Sequence, residues 1–301
     1  MPDAPLIIVN PAAGNGRAGR LLPWIRERLE SRREIRLEVT RRPGDAEHWA
    51  SESSRAHDRV VAIGGDGTVQ EVVNGLLAPG SARASIGIVP TGSGNDLARS
   101  LGLSGDPATA WTAAIGRRTT DLDVAHASGA PGRGRWFASA GGIGFDAQVA
   151  HAMVVRRGWQ RGRAGYLATA LAQLRRFPNR RVRLAFDDGT LIERRVLLVA
   201  VTNGAYYGGG MHIAPGALVD DGMMDLCIVG DIGRLEALHQ LPNLYRGRHV
   251  DHPAVEMRRA RTVEIDGEPG TLTHLDGEPF HGLPLRVEMH PAMLTVAVPV
   301  R

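Results

Sequence analysis

A short apolar run that ends in a glycine-rich loop occurs three times in the N-terminal part of the chain. Each loop leads into a stretch with helical spacing of apolar side chains. The runs are Leu6–Val9, Val60–Ile63 and Ile86–Val89. Strands that alternate with helices are typical of a parallel sheet covered on both faces. Ligands of such sheets bind at the carboxyl ends of the strands, where all three loops fall. The pattern therefore predicts an α/β domain with a ligand site at one edge of its sheet.

The pattern changes after about Asp121, where strand-like segments such as Trp136–Ala140, Leu285–Met289 and Leu294–Val298 follow each other. Helical stretches around Asp146–Val155, Ala164–Phe177 and Leu235–Tyr245 interrupt them. This pattern favours a β-rich domain, a sandwich or a distorted barrel. We expect an α/β domain over residues 1–125 and a β-rich domain over residues 126–301, whose last strand can return to the first domain.

Charge and cysteine content exclude some classes of protein. The 36 basic residues are all arginine, and the net charge of +4 is too modest to argue for nucleic-acid binding. Cys227 is the only cysteine, so no intrachain disulfide forms, and a reducing, cytoplasmic compartment is expected. The N-terminal residues do not have the pattern of a signal peptide, and no apolar run is long enough for a transmembrane segment.

The loop Gly64-Gly65-Asp66-Gly67-Thr68 carries the strongest chemical signal. Consecutive glycines let backbone N–H groups approach phosphate oxygens, and the helix N-terminus that follows adds positive potential. An aspartate there would repel phosphate unless a divalent cation lay between them, so Asp66 is a candidate for holding magnesium through water. The alternative is a tight strand–helix turn in which Asp66 and Thr68 only cap the helix.

Two further loops lie at equivalent positions. The segment Pro90–Asp96 offers Thr91, Ser93 and Asn95 as donors to phosphate or ribose, although these residue types are also ordinary helix caps. The segment Asn10–Gly19 contains Arg17, which can screen phosphate charge or simply be solvated.

Together these loops resemble the catalytic domain of the diacylglycerol kinase family, in particular its soluble bacterial lipid kinases, which are related to sphingosine kinases and NAD kinases. Gly-Gly-Asp-Gly-Thr is shared with the NAD kinases, whereas the sequence of Pro90–Asp96 is more specific to the lipid kinases. The resemblance extends over nearly the whole chain. The other matching segments are Asn10-Pro11, Thr40 with Gly44–Ala46, Glu71 with Asn74-Gly75, Asp121–Asp123, Gly141–Phe145, Asn203-Gly204, Gly208–Gly210, Ala214-Pro215, Asp221-Gly222 and Leu275–Glu278.

The resemblance implies a Rossmann-like doubly wound domain, a C-terminal β-sandwich, and ATP in the cleft. With the loop chemistry, it suggests these nucleotide-binding residues: Asn10, Arg17, Thr40, Gly64, Gly65, Asp66, Gly67, Thr68, Thr91, Ser93 and Asn95. It further implies a structural Mg²⁺ held by the Asp221 carboxylate and the carbonyls of Leu218 and Met223. Asp66, Asp121 and Asp221 would then form one water-linked acidic network.

The resemblance also implies that Asp276 or Glu278 lies near the reacting hydroxyl as a base, with Asp66 completing the catalytic set. The alternative is a turn followed by a surface acid. A second Asp-Gly-Glu at Asp266–Glu268 competes for this role, and its distance from the final strand fits the family less well.

The segment from Arg156 to Arg181 combines arginines with an apolar stripe of helical spacing: Tyr166, Leu167, Ala170, Leu171, Leu174 and Phe177. Such a helix rests on anionic lipid, or its stripe packs on the second domain with the arginines solvated. We expect a lipid kinase that acts on diacylglycerol or a similar lipid alcohol at a membrane surface. The alternatives are a sphingoid-base or ceramide-type kinase and a binding protein that has lost catalysis. The oligomeric state is open, and a homodimer is one option.

Overall fold

The computed structural model describes residues 4–30, 32, 34–53, 57–81, 84–129, 134–154, 163–175 and 177–300. The chain divides into two compact units, one comprising Met1–Leu122 with Ala292–Arg301 and the other Asp123–Pro291.

The first unit is built around a parallel sheet with the strand order β2-β1-β3-β4. Its strands are β1 (Leu6–Val9), β2 (Arg36–Val39), β3 (Arg59–Gly64) and β4 (Ser85–Pro90). Its helices are α1 (Ala13–Arg20), α2 (Leu22–Leu29), α3 (Asp45–Ser53), α4 (Asp66–Leu76), α5 (Asp96–Ser100) and α6 (Pro107–Ile115).

Burial explains why the three apolar runs form this sheet. Every residue of β1 is buried, as are all but the first residues of β3 and β4. Strands with both faces buried read as continuous apolar runs, as is usual in parallel sheets. Val9 pairs with Ile63, and Ile63 pairs with Val89, so the three strands end side by side. The register therefore brings the loops that follow them to one edge.

The second unit is mainly antiparallel. Its strands are β5 (Thr119–Gly129), which begins in the first unit, β6 (Arg135–Phe137), β7 (Ala140–Gly144), β8 (Arg180–Phe186), β9 (Leu191–Thr202), β10 (Met224–Gly230), β11 (Val255–Ala260), β12 (Thr262–Gly267), β13 (Thr273–Leu275), β14 (Glu278–Phe280) and β15 (Leu285–Ala297), which ends in the first unit. Its helices are α7 (Phe145–Val154), α8 (Arg163–Leu174), α9 (Arg234–Arg246) and a 3-10 helix at Arg248–Asp251.

Strand β9 separates two apolar cores in this unit, since it pairs with β7, β8 and β10 and alternate side chains point to opposite faces. Val199 and Val201 join a core formed between strands. Leu198 and Ala200 join a core that also contains residues of α8 and α9. The helices therefore cover one face of the β-layer, and the expected α/β plus β-rich fold is confirmed.

Several elements differ from the sequence expectation. The segment Trp136–Ala140 is divided between β6 and β7, and the two strands expected near the C-terminus are one strand, β15. Helix α6 was not expected, although Asp106 accepts the Thr109 N–H and Pro107 occupies the first helical turn. Among the described residues, no helix is long and apolar enough to cross a membrane.

Candidate active site

The three loops of the first unit contact each other. The Asn10 side chain donates to Thr68 Oγ1 over 3.0 Å and joins the first loop to the second. The second loop reaches the third through Asp66, whose carboxylate accepts the N–H groups of Asn95 and Asp96 at 2.7 and 2.6 Å. The candidate nucleotide residues from three separate segments thus form one cluster.

Glycines permit this close approach. A Cβ on Gly14 would lie 1.9 Å from the Thr91 carbonyl oxygen, and the φ of Gly14 is +59°, which side chains rarely adopt. A Cβ on Gly92 would lie 2.5 Å from the Gly65 Cα, and one on Gly94 would lie 2.6 Å from an Asp66 oxygen. The cluster therefore requires bare backbone at these positions.

Two buried polar atoms of the third loop lack partners. The Thr91 side chain is 3% exposed, and its Oγ1 has no hydrogen bond within the part of the chain that the structure describes. Asn95 Oδ1 is also buried without a hydrogen bond among the described residues, whereas the Asn95 side-chain nitrogen donates to the Gly92 carbonyl. Buried polar atoms are normally hydrogen-bonded, so these two atoms are positioned to meet a polar ligand.

Asp66 is partly accessible, and all the hydrogen bonds that its carboxylate accepts among the described residues come from backbone N–H groups. Burial raises its pKa, and the N–H groups of Asp96 and Asn95 oppose that rise. Because carboxylate oxygens are hard ligands and no cation pairs with Asp66 among the described residues, its chemistry fits a nucleotide-bound magnesium ion.

The remaining nucleotide candidates differ in accessibility. Arg17 and Ser93 are exposed, whereas Thr40 is half-buried, and its N–H donates to the Val9 carbonyl at the end of β1. Thr40 therefore follows the strand next to the three loops, and Arg17 is free to turn toward solvent or a ligand.

In the second unit, Leu275–Glu278 is a tight hairpin turn between β13 and β14. Leu275 pairs with Glu278, and the two residues between them, Asp276 and Gly277, have positive φ values of 47° and 85°. Two left-handed residues define a type I′ turn, for which Asp-Gly is strongly preferred. The turn interpretation is therefore right for the backbone.

The two acids of this turn have different surroundings. The Asp276 carboxylate accepts the N–H groups of Ala138, Ser139 and Ala140 at 3.1, 3.0 and 2.9 Å. Glu278 is exposed, and its carboxylate has no hydrogen bond or ion pair among the described residues. Asp276 is thus engaged in holding the loop before β7, whereas Glu278 is available to a substrate.

The competing Asp-Gly-Glu segment is engaged in other contacts. Glu268 accepts the Arg181 N–H at 3.2 Å and lies 3.6 Å from the Arg180 guanidinium. Asp266 Oδ1 accepts the adjacent Gly267 N–H at 2.8 Å. These contacts leave Glu278 as the less constrained carboxylate of the two segments.

The carboxylate expected to hold a structural magnesium ion makes other contacts here, and the magnesium site stays a prediction. Asp221 accepts the Met223 N–H at 3.0 Å, and its other oxygen is bound by the Arg259 guanidinium. A cation at Asp221 would have to displace Arg259. The described residues also contain no cluster of three or more His, Cys, Asp or Glu placed to hold a metal.

The three aspartates of the expected acidic network come from both units, and the network stays a prediction. Asp66 and the exposed Asp121 belong to the first unit, and Asp221 belongs to the second. The side chain of Leu218, the first of the two expected carbonyl ligands, is 56% exposed. Sequence reasoning did not name Asp123 as a ligand, yet Asp123 is the aspartate that accepts the Gly222 N–H, at 2.6 Å.

An apolar cavity of about 80 Å³ lies in the second unit. Its walls come from α8, α9, β9, β10 and the segment before Ile213, with Leu174, Leu197, Leu198, Ile213, Val229 and Leu244 among the lining residues. The cavity has few polar side chains, of which Asp146 and His249 are each 3% exposed. Burial lowers the pKa of His249, and its hydrogen bond to the Ile213 carbonyl opposes that shift.

Part of the apolar stripe on α8 and the residues after it is buried, and part of it is exposed. Ala170, Leu174 and Phe177 are buried in the core beside the β-layer, as the packing alternative predicted. Leu167 and Leu171 are 39% and 38% exposed. The side chain of Tyr166 lies outside the described part.

Two of the expected surface arginines are paired. Arg180 lies near Glu268, and Arg181 lies 3.5 Å from Glu193, whereas Arg175 is exposed. Exposed pairs of this kind contribute little to stability. Arg156, Arg157, Arg161 and Arg176 lie outside the described residues, as does the Arg163 side chain.

Comparison with known proteins agrees with this architecture. The model described as "Diacylglycerol kinase catalytic domain" matches residues 4–127, and the one described as "YegS C-terminal NAD kinase beta sandwich-like domain" matches residues 139–298. A diacylglycerol kinase of Mycobacterium tuberculosis is 31% identical over 295 residues, which is 97% of this chain and 94% of the relative. A protein named "Probable lipid kinase YegS-like" from Chromohalobacter salexigens is 34% identical over 293 residues, 95% of this chain and 91% of the relative.

A solved structure is also similar. The crystal structure of a diacylglycerol kinase from Bacillus anthracis str. Sterne has a TM-score of 0.75 and 25% identity, and the match covers 98% of this chain and 97% of that one. The fold and the matched relatives define a lipid kinase. The chain belongs to the diacylglycerol kinase catalytic-domain family, as its loops predicted, and kinase membership implies use of a nucleotide.

Proposed function

We propose that this protein transfers the γ-phosphoryl group of ATP to the hydroxyl of diacylglycerol or a similar lipid alcohol. The observation that carries this proposal is the apolar cavity in the second unit of a kinase-family chain. Most of the side chains that line it are aliphatic, as an acyl chain requires. A kinase for a water-soluble acceptor such as NAD has no use for such a cavity.

The position of the cavity relative to Glu278 supports the same reading. Asp146 lines the cavity and lies 3.4 Å from His274 Nε2, while His274 Nδ1 accepts the N–H of Gly277, the residue before Glu278. The candidate acyl site and the candidate base are therefore separated by a single pair of buried side chains.

Glu278 is the residue we assign as the base. In the reaction, the lipid hydroxyl oxygen forms a bond to the γ-phosphorus, the bond between that phosphorus and the β,γ-bridging oxygen breaks, and ADP leaves. The hydroxyl proton passes to the Glu278 carboxylate. An exposed carboxylate suits this role, because a hydroxyl that loses its proton late needs only a modest base.

The nucleotide is assigned to the loop cluster of the first unit. Thr91 Oγ1 and Asn95 Oδ1 offer unpartnered polar atoms, and the glycines leave backbone accessible to phosphate oxygens. Arg17 is the candidate cation for the phosphates. Magnesium would supply further charge neutralisation there, and Asp66 is the residue that would hold it.

Peripheral association with membranes is part of the proposal. Leu167 and Leu171 on α8 and Leu235 and Leu238 on α9 are exposed, Leu235 at 75%. The same two helices line the cavity. Apolar side chains beside a lipid site favour contact with the bilayer interface.

One observation favours a sphingoid-type acceptor as the second candidate. His249 Nε2 lies 3.0 Å from the Ile213 carbonyl, so the ring donates there and Nδ1 is left as an acceptor. Nδ1 is buried without a partner among the described residues. A lipid with an additional hydroxyl or amide donor would satisfy this atom, and diacylglycerol has none.

The test is ATP consumption with magnesium against diacylglycerol, monoacylglycerol, ceramide, a sphingoid base and NAD, with lipids in mixed micelles. We expect turnover with one lipid alcohol class and a strong loss in Asp66→Ala. Turnover with NAD alone would overturn the lipid assignment. ATP binding without turnover on any acceptor would favour a binding protein.

A further inference from the structure

A buried carboxylate–histidine pair lies behind the turn that carries Glu278. Asp146 begins helix α7 and His274 belongs to β13, and they are 3% and 5% exposed. His274 Nε2 lies 3.4 Å from Asp146 Oδ2, which is an electrostatic contact, since that oxygen has no hydrogen-bond partner among the described residues. The resemblance to the kinase family did not single out either residue.

The hydrogen-bond pattern fixes the tautomer of His274. The Gly277 N–H lies 3.3 Å from Nδ1, and a backbone N–H can only donate. Nδ1 must therefore be unprotonated, and the ring proton is on Nε2, where it faces the Asp146 carboxylate. The other Asp146 oxygen accepts the Ala147 N–H at 2.8 Å, which holds the carboxylate at the start of α7.

The backbone leaves room for this pair. Gly142 in β7 pairs with His274 across the ladder. A Cβ on Gly142 would lie 2.0 Å from Asp146 Oδ2 and 2.3 Å from His274 Nε2. A side chain at residue 142 is incompatible with the pair, so three elements meet around it.

We propose that His274 is a positioning residue for the phosphoryl transfer: its unprotonated Nδ1 anchors the Gly277 amide and thereby fixes the direction of Glu278, while Asp146 faces its Nε2. This inference rests on the proposed function. The Gly277 N–H belongs to the Asp276–Gly277 peptide at the centre of the two-residue turn, so rotation of that peptide changes the turn that carries Glu278. Asp276 holds the other side of the turn through residues 138–140. Small errors in the position of a catalytic group reduce turnover strongly.

Two substitutions of His274 test the roles of its two ring nitrogens separately. In His274→Asn, the amide oxygen takes the place of Nδ1 and can still accept the Gly277 N–H, but the Asp146 contact is lost. In His274→Gln, the amide nitrogen takes the place of Nε2 and keeps the Asp146 contact, but the acceptor for Gly277 is lost. His151→Gln is the matched control, since His151 Nε2 contacts the Thr273 carbonyl on the same strand.

The measurements are kcat for the lipid acceptor, KM for ATP, the thermal unfolding midpoint, and amide hydrogen exchange of residues 275–280. We expect His274→Gln to lower kcat about 10- to 100-fold with KM for ATP unchanged and faster exchange in the turn. We expect His274→Asn to keep kcat within about threefold although it is the less stable of the two. His151→Gln should retain wild-type kcat.

A purely structural role predicts the opposite order, because activity would then follow stability and His274→Gln would be the more active variant. That order, or unchanged exchange in His274→Gln, would overturn the proposal. If the wild-type protein itself transfers no phosphoryl group to a lipid, the proposed function fails instead, and the exchange measurement still tests whether His274 anchors the turn.

Discussion

The separate roles of Asp276 and Glu278 give a prediction whose size follows from the structure. Asp276→Asn keeps the shape of the side chain, and asparagine tolerates the φ of 47° at this position. Two N–H groups, those of Ser139 and Ala140, donate to Oδ1, and the Ala138 N–H donates to Oδ2. The amide therefore keeps one accepting oxygen but places an NH₂ group against the third donor, and it removes the negative charge.

Losing one charge-assisted bond and weakening two others should lower the free energy of unfolding by about 2 kcal/mol. For a unit of this size, that corresponds to a decrease of about 4–8 °C in the unfolding midpoint. Asp266→Asn is the matched control, since Asp266 lies in the other Asp-Gly-Glu segment and, among the described residues, accepts only the adjacent Gly267 N–H. Calorimetry and urea unfolding measure both variants. Equal midpoints for the two variants would refute the structural role of Asp276.

Three further predictions address the loops, the cavity and the buried histidine. Gly92→Ala places a Cβ 2.5 Å from the Gly65 Cα, so ATP affinity in an equilibrium titration should fall at least about tenfold. Gly105→Ala is the control, because a Cβ there has no atom within 4 Å, and this variant should bind ATP normally. Ala237 lines the cavity, so the larger side chain of Ala237→Phe should occupy part of it. We expect kcat/KM for the lipid to fall about tenfold or more with KM for ATP unchanged. Equal losses for both substrates would contradict the acyl-site assignment. Burial lowers the pKa of His249 from 6.5, so below that pH the unfolded state binds more protons than the folded state. The free energy of unfolding therefore falls as the pH decreases. In denaturation experiments at pH 5–8, His249→Gln should reduce the slope of the free energy of unfolding against pH by up to about 1.4 kcal/mol per pH unit.

Much of the first unit could be predicted from local sequence. Three of its strands, β1, β3 and β4, are mainly apolar runs that lead into glycine-rich loops. These local signals also identified Gly64–Thr68 and Pro90–Asp96 as neighbours, because parallel strands end at one edge. The contact of Asp66 with the amides of Asn95 and Asp96 depends on the tertiary approach of two loops, which spacing alone does not reveal.

The second unit was harder to predict, because some of its elements have weak local signals. Strand β7 is Ala-Gly-Gly-Ile-Gly, without alternating side chains, and β13 and β14 have three residues each. The Arg259 contact with Asp221 joins residues far apart in sequence. The cavity likewise depends on how helices cover the β-layer. The Asp-Gly of Leu275–Glu278 did mark its turn in advance.

Transfer of labelled γ-phosphate from ATP to a lipid alcohol in mixed micelles tests the central claim most directly, with Glu278→Gln compared with Glu268→Gln. Glu268 is the matched glutamate of the other Asp-Gly-Glu segment and pairs with Arg180. We predict that wild type and Glu268→Gln label the lipid and that Glu278→Gln is at least about a hundredfold slower. The account would be contradicted by a wild-type protein that labels no lipid alcohol, or by a Glu278→Gln variant as active as Glu268→Gln.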